Sequence, residues 1–149
     1  MKISTKGRYA LRFLIDLAQH QEENFVSVKD ISERQKISRK YLEQILPLLT
    51  GAGMLKATRG ANGGYKLTRE TTEYTVSEIL KVTEKNIIPV TCLEAENNEC
   101  ELRDICKTLP MWIGLSNVID KYLSSITLQD LLDGNIDTDP KVLTGGNKN

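Results

Sequence analysis

The sequence predicts a mainly α-helical fold that carries one small β-hairpin and ends in a long helix. Three observations predict it: two short capped helical patterns in succession between residues 27 and 50, a Gly-rich turn between two β-type runs directly after them, and a 3, 4, 3, 4 apolar spacing between Trp112 and Ile126. At 149 residues the chain has room for one compact domain and an appendage, too little for a large enzyme with separate cofactor and substrate domains. With 40% hydrophobic and 27% charged residues it holds enough apolar surface to offset chain entropy, which excludes collagen-like and disordered classes. No apolar run approaches the roughly 18 residues that span a bilayer, and the opening leads into a charged amphipathic segment. A cytoplasmic chain with no membrane partner is expected, its three cysteines kept as thiols.

The first segment, about residues 4 to 20, sets Tyr9, Leu11, Phe13, Leu14, Ile15, Leu17 and Ala18 on one helical face and Lys6, Arg8 and Arg12 on the other. Ser27-Val28-Lys29-Asp30 resembles a capping box with Asp in place of Glu and starts a short second helix through Ile31 to about Arg34. After a break at Gln35-Lys36-Ile37, Ser38 caps a third helix whose Leu42, Ile45, Leu46 and Leu49 recur at helical spacing. Pro47 is expected to bend that helix or end it early, because proline removes a backbone donor. Two short helices joined by a tight turn, the second opening with polar and basic side chains, form the arrangement by which a helix enters a major groove. Gly51-Ala52-Gly53 ends the third helix. Residues 54–58 read as a strand, 59–64 as a turn and 65–67 as the returning strand, a wing whose tip holds three glycines and Asn62, residues able to take positive φ.

Beyond the wing, Thr75-Val76-Ser77-Glu78 reads as a full capping box and starts a helix through Ile79, Leu80 and Val82. Ile87-Ile88-Pro89-Val90 breaks the pattern. A long helix is expected from Pro110 to about Ser125, and Thr127-Leu128-Gln129-Asp130 starts a last short one. Trp112, Leu115, Ile119, Tyr122 and Ile126 have the spacing of a seam that packs on a partner helix, which makes a homodimer the expected state; the same spacing also fits a helix packed on its own domain. From Asp133 the Gly, Asn, Asp and Lys composition reads as a disordered tail. The organisation expected is a winged helix-turn-helix DNA-binding domain over 1–72, a linking helix and cysteine loop over 73–109, a dimerisation helix and short terminal helix over 110–132, and a tail over 133–149.

The formal net charge of zero conceals a division. Residues 1–72 hold 13 Lys and Arg against 7 Asp and Glu, a net +6, and residues 73–149 hold 7 against 13, a net −6. A basic front half points to a polyanionic partner, here double-stranded DNA. On the third helix Ser38, Lys40 and Tyr41 are the expected phosphate contacts. Arg39, Glu43 and Gln44 are the expected base readers, since Arg pairs with guanine, Gln with adenine, and Glu accepts from cytosine. Arg59 at the base of the wing is the minor-groove candidate, with Gly60, Gly63 and Gly64 at the tip. An enzyme is not expected: no cofactor cradle, Ser-His-Asp set or paired carboxylate site is visible, and a single His restricts acid-base chemistry.

All three cysteines fall within one polar stretch, Cys92-x7-Cys100-x5-Cys106. Zinc sites favour close Cys-x2-4-Cys pairs, whereas loops that wrap an iron-sulfur cluster tolerate wider, uneven gaps; cluster, zinc and reversible thiol chemistry are all compatible with the spacing. Glu94, Glu96, Glu99, Glu101 and Asp104 around them are expected to raise free-thiol pKa values. A fourth protein ligand would have to be other than cysteine: His20, Glu101, Asp104 and an exogenous thiol are the candidates.

The opening Met1-Lys-Ile-Ser-Thr-Lys-Gly-Arg-Tyr9-Ala-Leu-Arg, the helix Tyr41-Leu-Glu-Gln-Ile-Leu46, the wing Arg59-Gly-Ala-Asn-Gly-Gly-Tyr65-Lys-Leu and the closing Ile126-Thr-Leu-Gln-Asp-Leu131 together resemble the Rrf-two family of bacterial winged-helix regulators, over nearly residues 1 to 133. The resemblance is to its iron-sulfur cluster branch. It implies a homodimeric transcription regulator, dimerised through the C-terminal helix, in which Cys92, Cys100 and Cys106 hold a cluster that alters DNA binding. A [2Fe–2S] cluster is placed ahead of a [4Fe–4S] one, three cysteines being compatible with both. The cluster branch has a His three residues after its third cysteine, where this chain has Leu109; the nitric-oxide-responsive branch has an Asp where this chain has Arg8. A third branch regulates cysteine and sulfur metabolism under control of a partner protein and lacks the cluster cysteines.

Overall fold

The structure, a computed structural model of the chain, describes residues 1–94 and 99–139. Helix α1 spans Thr5–His20 and starts where the Ser4 hydroxyl accepts from the Gly7 amide. Its buried residues, Gly7, Ala10, Phe13, Leu14, Asp16 and Leu17, follow the helical period, and Arg8 and Arg12 stay in solvent on the opposite side. Because α1 packs against α2, α4, α6 and β2, it is the central post of the molecule.

Helix α2 (Val28–Gln35) is capped by Ser27, whose hydroxyl accepts from the Asp30 amide; only this half of the anticipated box is among the described hydrogen bonds. Lys36 then adopts a left-handed conformation, φ +56°, and turns the chain in two residues to Ser38. Helix α3 (Arg39–Gly51) opens with the Ser38 hydroxyl accepting from Tyr41 N. The expectation for Pro47 needs correction on its stronger form: the helix does not end there but continues four residues to Gly51. A proline inside a helix costs about 3 kcal/mol. Leu42, Ile45, Leu46 and Leu49 are buried on both sides of it, and each such side chain contributes roughly 1.5–3 kcal/mol, so packing overrides the local penalty.

Strands β1 (Leu55–Thr58) and β2 (Gly64–Leu67) pair antiparallel with Leu55 opposite Leu67 and Thr58 opposite Gly64. Val26, in the loop before α2, exchanges backbone hydrogen bonds with Tyr65 at 2.9 and 2.8 Å and so lends the hairpin a third, one-residue strand. Helix α4 (Val76–Thr83) is capped by Thr75, but its box is half made: the Glu78 carboxylate turns to Arg69 at 2.8 Å instead of reaching back to Thr75. Among the described residues, three single-turn 3-10 segments, Thr71–Glu73, Thr91–Leu93 and Arg103–Ile105, punctuate the connections.

Helix α5 (Leu109–Ser125) runs along α4, and α6 (Leu128–Asp133) returns to the post, placing a fully buried Leu128 in the same core as Phe13, Ile31, Leu42 and Ile79. Here the capping box is complete, Thr127 and Asp130 each bonding the other's amide. A tail is expected from Asp133, but that residue is still helical, the last of α6. Gly134 closes the helix at φ +66°, and Asn135 N donates to Asp130 O. Residues 140–149 lie outside the described residues.

Candidate nucleic-acid interface and cysteine segment

Helix α3 divides lengthwise. Its inner line is buried, and Arg39, Lys40, Glu43 and Gln44 are all exposed on the outer one, with Ser38 exposed at the cap. Tyr41 is half-buried, because its ring meets Tyr9 of α1 edge-on at 5.2 Å. The Arg12 guanidinium lies 5.3 Å from the centre of the Tyr9 ring and donates to the backbone carbonyl and side chain of Gln35 at the end of α2. One cluster thus joins α1, the end of α2 and the start of α3. It holds the outer line of α3 in a fixed orientation, and Tyr41 has a packing task beside any contact with phosphate.

At the wing, Arg59 is exposed directly after β1. Of the tip residues expected to take positive φ, only Gly60 does, at +108°; Asn62 does not. Gly63 and Gly64 are required for a different reason. A Cβ on Gly63 would lie 2.6 Å from the Thr58 carbonyl oxygen, and one on Gly64 would lie 2.1 Å from that of Val26. Both therefore permit backbone to pass backbone, Gly63 within the wing's own turn and Gly64 where the wing meets the loop before α2.

The cysteine segment follows α4. Cys92 and Cys106 are partly exposed and Cys100 is exposed. Among the described residues no three Cys, His, Asp or Glu side chains converge as a metal site. The donor set nonetheless suits a thiophilic group, three thiols on one short segment. The expectation of raised thiol pKa values fails at Cys106, which is held below the ordinary thiol value by the Thr108 hydroxyl, 3.4 Å from its sulfur, and by the amides of Thr108 and Leu109 at the start of α5. These local dipoles set the direction, while Glu94, Glu99, Glu101 and Asp104 are exposed to solvent. His20 lies instead beside Asp16, its Nδ1 2.7 Å from the Asp16 carbonyl, in a cleft lined also by Arg34 and Asn62.

The five seam residues do not share one free face. Asp120 of α5 accepts from Ser77 at 3.0 Å and Lys81 at 2.7 Å, which turns the flank carrying Ile119 toward α4 and the linker residues Ile87 and Ile88. Trp112, Ile119 and Tyr122 are half-buried in their own chain, and the carbonyl of Ile126 accepts from Val76 N. Leu115 alone among the five is exposed, at 41%, in line with Met111 and Val118.

A helix-turn-helix with an exposed polar outer line, followed at once by a hairpin and a long helix, is the architecture of a winged-helix regulator, and residues 3–134 match the family described as Rrf2: Iron-dependent Transcriptional regulator. The chain belongs to the Rrf2 family. As an Rrf2 protein it is a transcription regulator with a DNA-binding winged helix and not an enzyme. It is 38% identical over 132 residues, 89% of this chain and 79% of the other, to the HTH-type transcriptional regulator IscR of Photorhabdus laumondii. Solved structures similar to it include those of two regulators. CymR, the global cysteine regulator of B. subtilis, has TM-score 0.73 and 37% identity over 92% of this chain and 99% of that one. The IscR of T. potens has TM-score 0.71 and 37% identity over 91% and 89%. No helix among the described residues of this Rrf2 regulator is long and apolar enough to cross a membrane.

Sequence reasoning missed Asp16, Tyr74 and Glu84. Asp16 is a charge set between Phe13 and Leu17 on an apolar face, which is itself a signal that a cation must approach. Glu84 at the end of α4 accepts from Ser4 N and Oγ at 3.1 and 2.6 Å, fastening the root of the cysteine segment to the start of α1.

Proposed function

We propose that this Rrf2 regulator is a cytoplasmic homodimer that binds an operator in double-stranded DNA and reports iron-sulfur or redox status through a cluster held by Cys92, Cys100 and Cys106. Genes of iron-sulfur cluster biosynthesis are its expected targets. The observation that carries the reading is the placement of three thiols, and no other cysteine, on the single segment between α4 and α5. That segment is fastened at one end to α1 through Glu84 and at the other to α5 through Cys106 and Thr108. A bound cluster would supply a redox-labile charge there, and these two attachments are the routes by which its presence could bias the DNA-binding half.

On DNA, Arg39, Glu43 and Gln44 are assigned to base edges in the major groove, and Ser38, Lys40 and Tyr41 to phosphate. Arg59 is assigned to the minor groove, with Gly60, Gly63 and Gly64 shaping the wing. Dimerisation is assigned to α5.

A second reading is a regulator of cysteine or sulfur metabolism controlled by a partner protein, its cysteines holding no cluster. The likeness to CymR favours it. Purification without oxygen, with absorption spectra and iron and sulfide analysis on wild type and Cys92→Ala, separates the two. Brown protein with stoichiometric iron and sulfide, lost in the variant, supports the cluster. Colourless protein that takes up nothing on reconstitution promotes the second reading.

A further inference from the structure

We propose that Tyr74 is a positioning residue for DNA recognition, holding the roots of both wing strands against the junction of α5 and α6. The inference rests on the reading that the wing meets DNA through Arg59. Tyr74 is fully buried, yet its hydroxyl fills its hydrogen-bonding capacity: it donates to the Met54 carbonyl at 2.8 Å and accepts from the amides of Thr68 at 3.0 Å and Arg69 at 3.2 Å. Met54 immediately precedes β1, and Thr68 immediately follows β2. The Thr68 hydroxyl closes the ring by donating to Gly53 O at 2.6 Å.

From its backbone side the same residue is tied to the C-terminal helices. Leu128 N donates to Tyr74 O and Val76 N to Ile126 O, both at 2.9 Å. The Arg69 guanidinium sits 4.3 Å from the centre of the ring and pairs with Glu78 of α4. A hairpin with four residues in each strand has too little contact of its own to hold a fixed direction. Its direction is set by what grips it: Val26 and the Phe13 ring at Tyr65, the Gln21 side chain at the Leu67 amide, and Tyr74 at the roots of both strands. Removal of the hydroxyl leaves one carbonyl and two amides without that partner and frees the root to shift. The predicted consequence is a misplaced Arg59 in an otherwise folded protein.

The test uses the full chain carrying Tyr74→Phe, which keeps the ring. Amide hydrogen exchange is measured alongside affinity for a duplex selected by the wild type from a randomised library. Exchange at residues 55–58, Thr68 and Arg69 should accelerate about fivefold or more while α1 to α3 stay unchanged, and affinity should fall about 3–10-fold. In an Arg59→Ala background the Tyr74→Phe loss should shrink below twofold; in a Gln44→Ala background it should persist in full. Unchanged exchange, acceleration spread over the whole domain, or an equal affinity loss in both backgrounds would overturn the proposal. If Arg59→Ala alone leaves affinity unchanged, the wing reading above fails and the proposed DNA role of Tyr74 fails with it, while the exchange data still decide whether Tyr74 clamps the hairpin.

Discussion

Arg34 of α2 closes on both carboxylate oxygens of Asp16 in α1, its Nη2 donating to Oδ1 at 2.7 Å and its Nε to Oδ2 at 3.1 Å. Gln35 adds a bond to Oδ2 at 2.8 Å. Asp16 is 1% exposed, so the first helix of the helix-turn-helix is fixed to the central post by a buried carboxylate. Burial pushes that carboxyl pKa up, but the bonds from Arg34 and Gln35 and the Arg34 charge outweigh it, and the net shift is below the ordinary value.

Asp16→Ala should therefore lower stability by about 2–3 kcal/mol at pH 7, under the range for a wholly buried pair because Arg34 is partly exposed. For a protein of this size each kcal/mol moves Tm by roughly 2–4 °C. A depressed folded-state pKa means the stabilisation is complete above the unfolded value of about 3.9 and is lost as pH falls through the folded one. The gap between wild type and variant in thermal melts should be full at pH 7 and narrow below about pH 4. A gap independent of pH would show that packing, not the ion pair, sets the cost.

Gly64→Ala should displace the wing. The new Cβ would meet the backbone of Val26, which no side-chain movement relieves, so a loss of at least about 2 kcal/mol in denaturant unfolding is expected, with weaker DNA binding. Gly51→Ala, where nothing lies within 4 Å, should stay within about 0.5 kcal/mol of wild type. Equal effects at the two glycines would remove the close-approach argument.

These cases show which parts of the molecule were legible in its residues. Ser27, Ser38, Thr75 and Thr127 announce helix starts through local chemistry, and all four hydroxyls cap as expected. The hairpin follows from its Gly-rich turn. Asp16 needs Arg34, 18 positions away, and the Tyr74 hydroxyl needs Met54, 20 positions away, so neither role is visible in a local window. Helix α5 has apolar residues around much of its circumference, and spacing alone cannot choose the flank that meets α4; the bonds of Asp120 to Ser77 and Lys81 choose it.

On DNA, Gln44→Ala and Lys40→Ala should differ in kind. If Gln44 reads a base edge, its loss relaxes preference at one operator position by about 1–3 kcal/mol of discrimination. Loss of a phosphate contact at Lys40 weakens binding to every sequence alike and reduces the slope of log affinity against log salt by about one. Binding titrations on a panel of single-substituted duplexes at three salt concentrations read both quantities. A uniform loss for Gln44→Ala would refute its role as a base reader.

The apolar line left free on α5 is Met111, Leu115 and Val118, residues spaced by four and three and exposed at 55%, 41% and 42%. If this line is the dimer contact, a charge placed in it must be desolvated when two copies meet, whereas in a lone chain it remains in water. Leu115→Glu and Val118→Glu should then give folded monomers with unchanged helical circular dichroism, and DNA affinity should fall because two half-sites are no longer bound together. Ile119 faces the linker beyond α4, so Ile119→Glu should lower thermal stability first, in monomer and dimer alike. Sedimentation velocity paired with thermal melts distinguishes the two flanks. A dimer that survives both Leu115→Glu and Val118→Glu while Ile119→Glu abolishes it without loss of stability would move the contact to the Ile119 flank, the register that heptad spacing alone suggests.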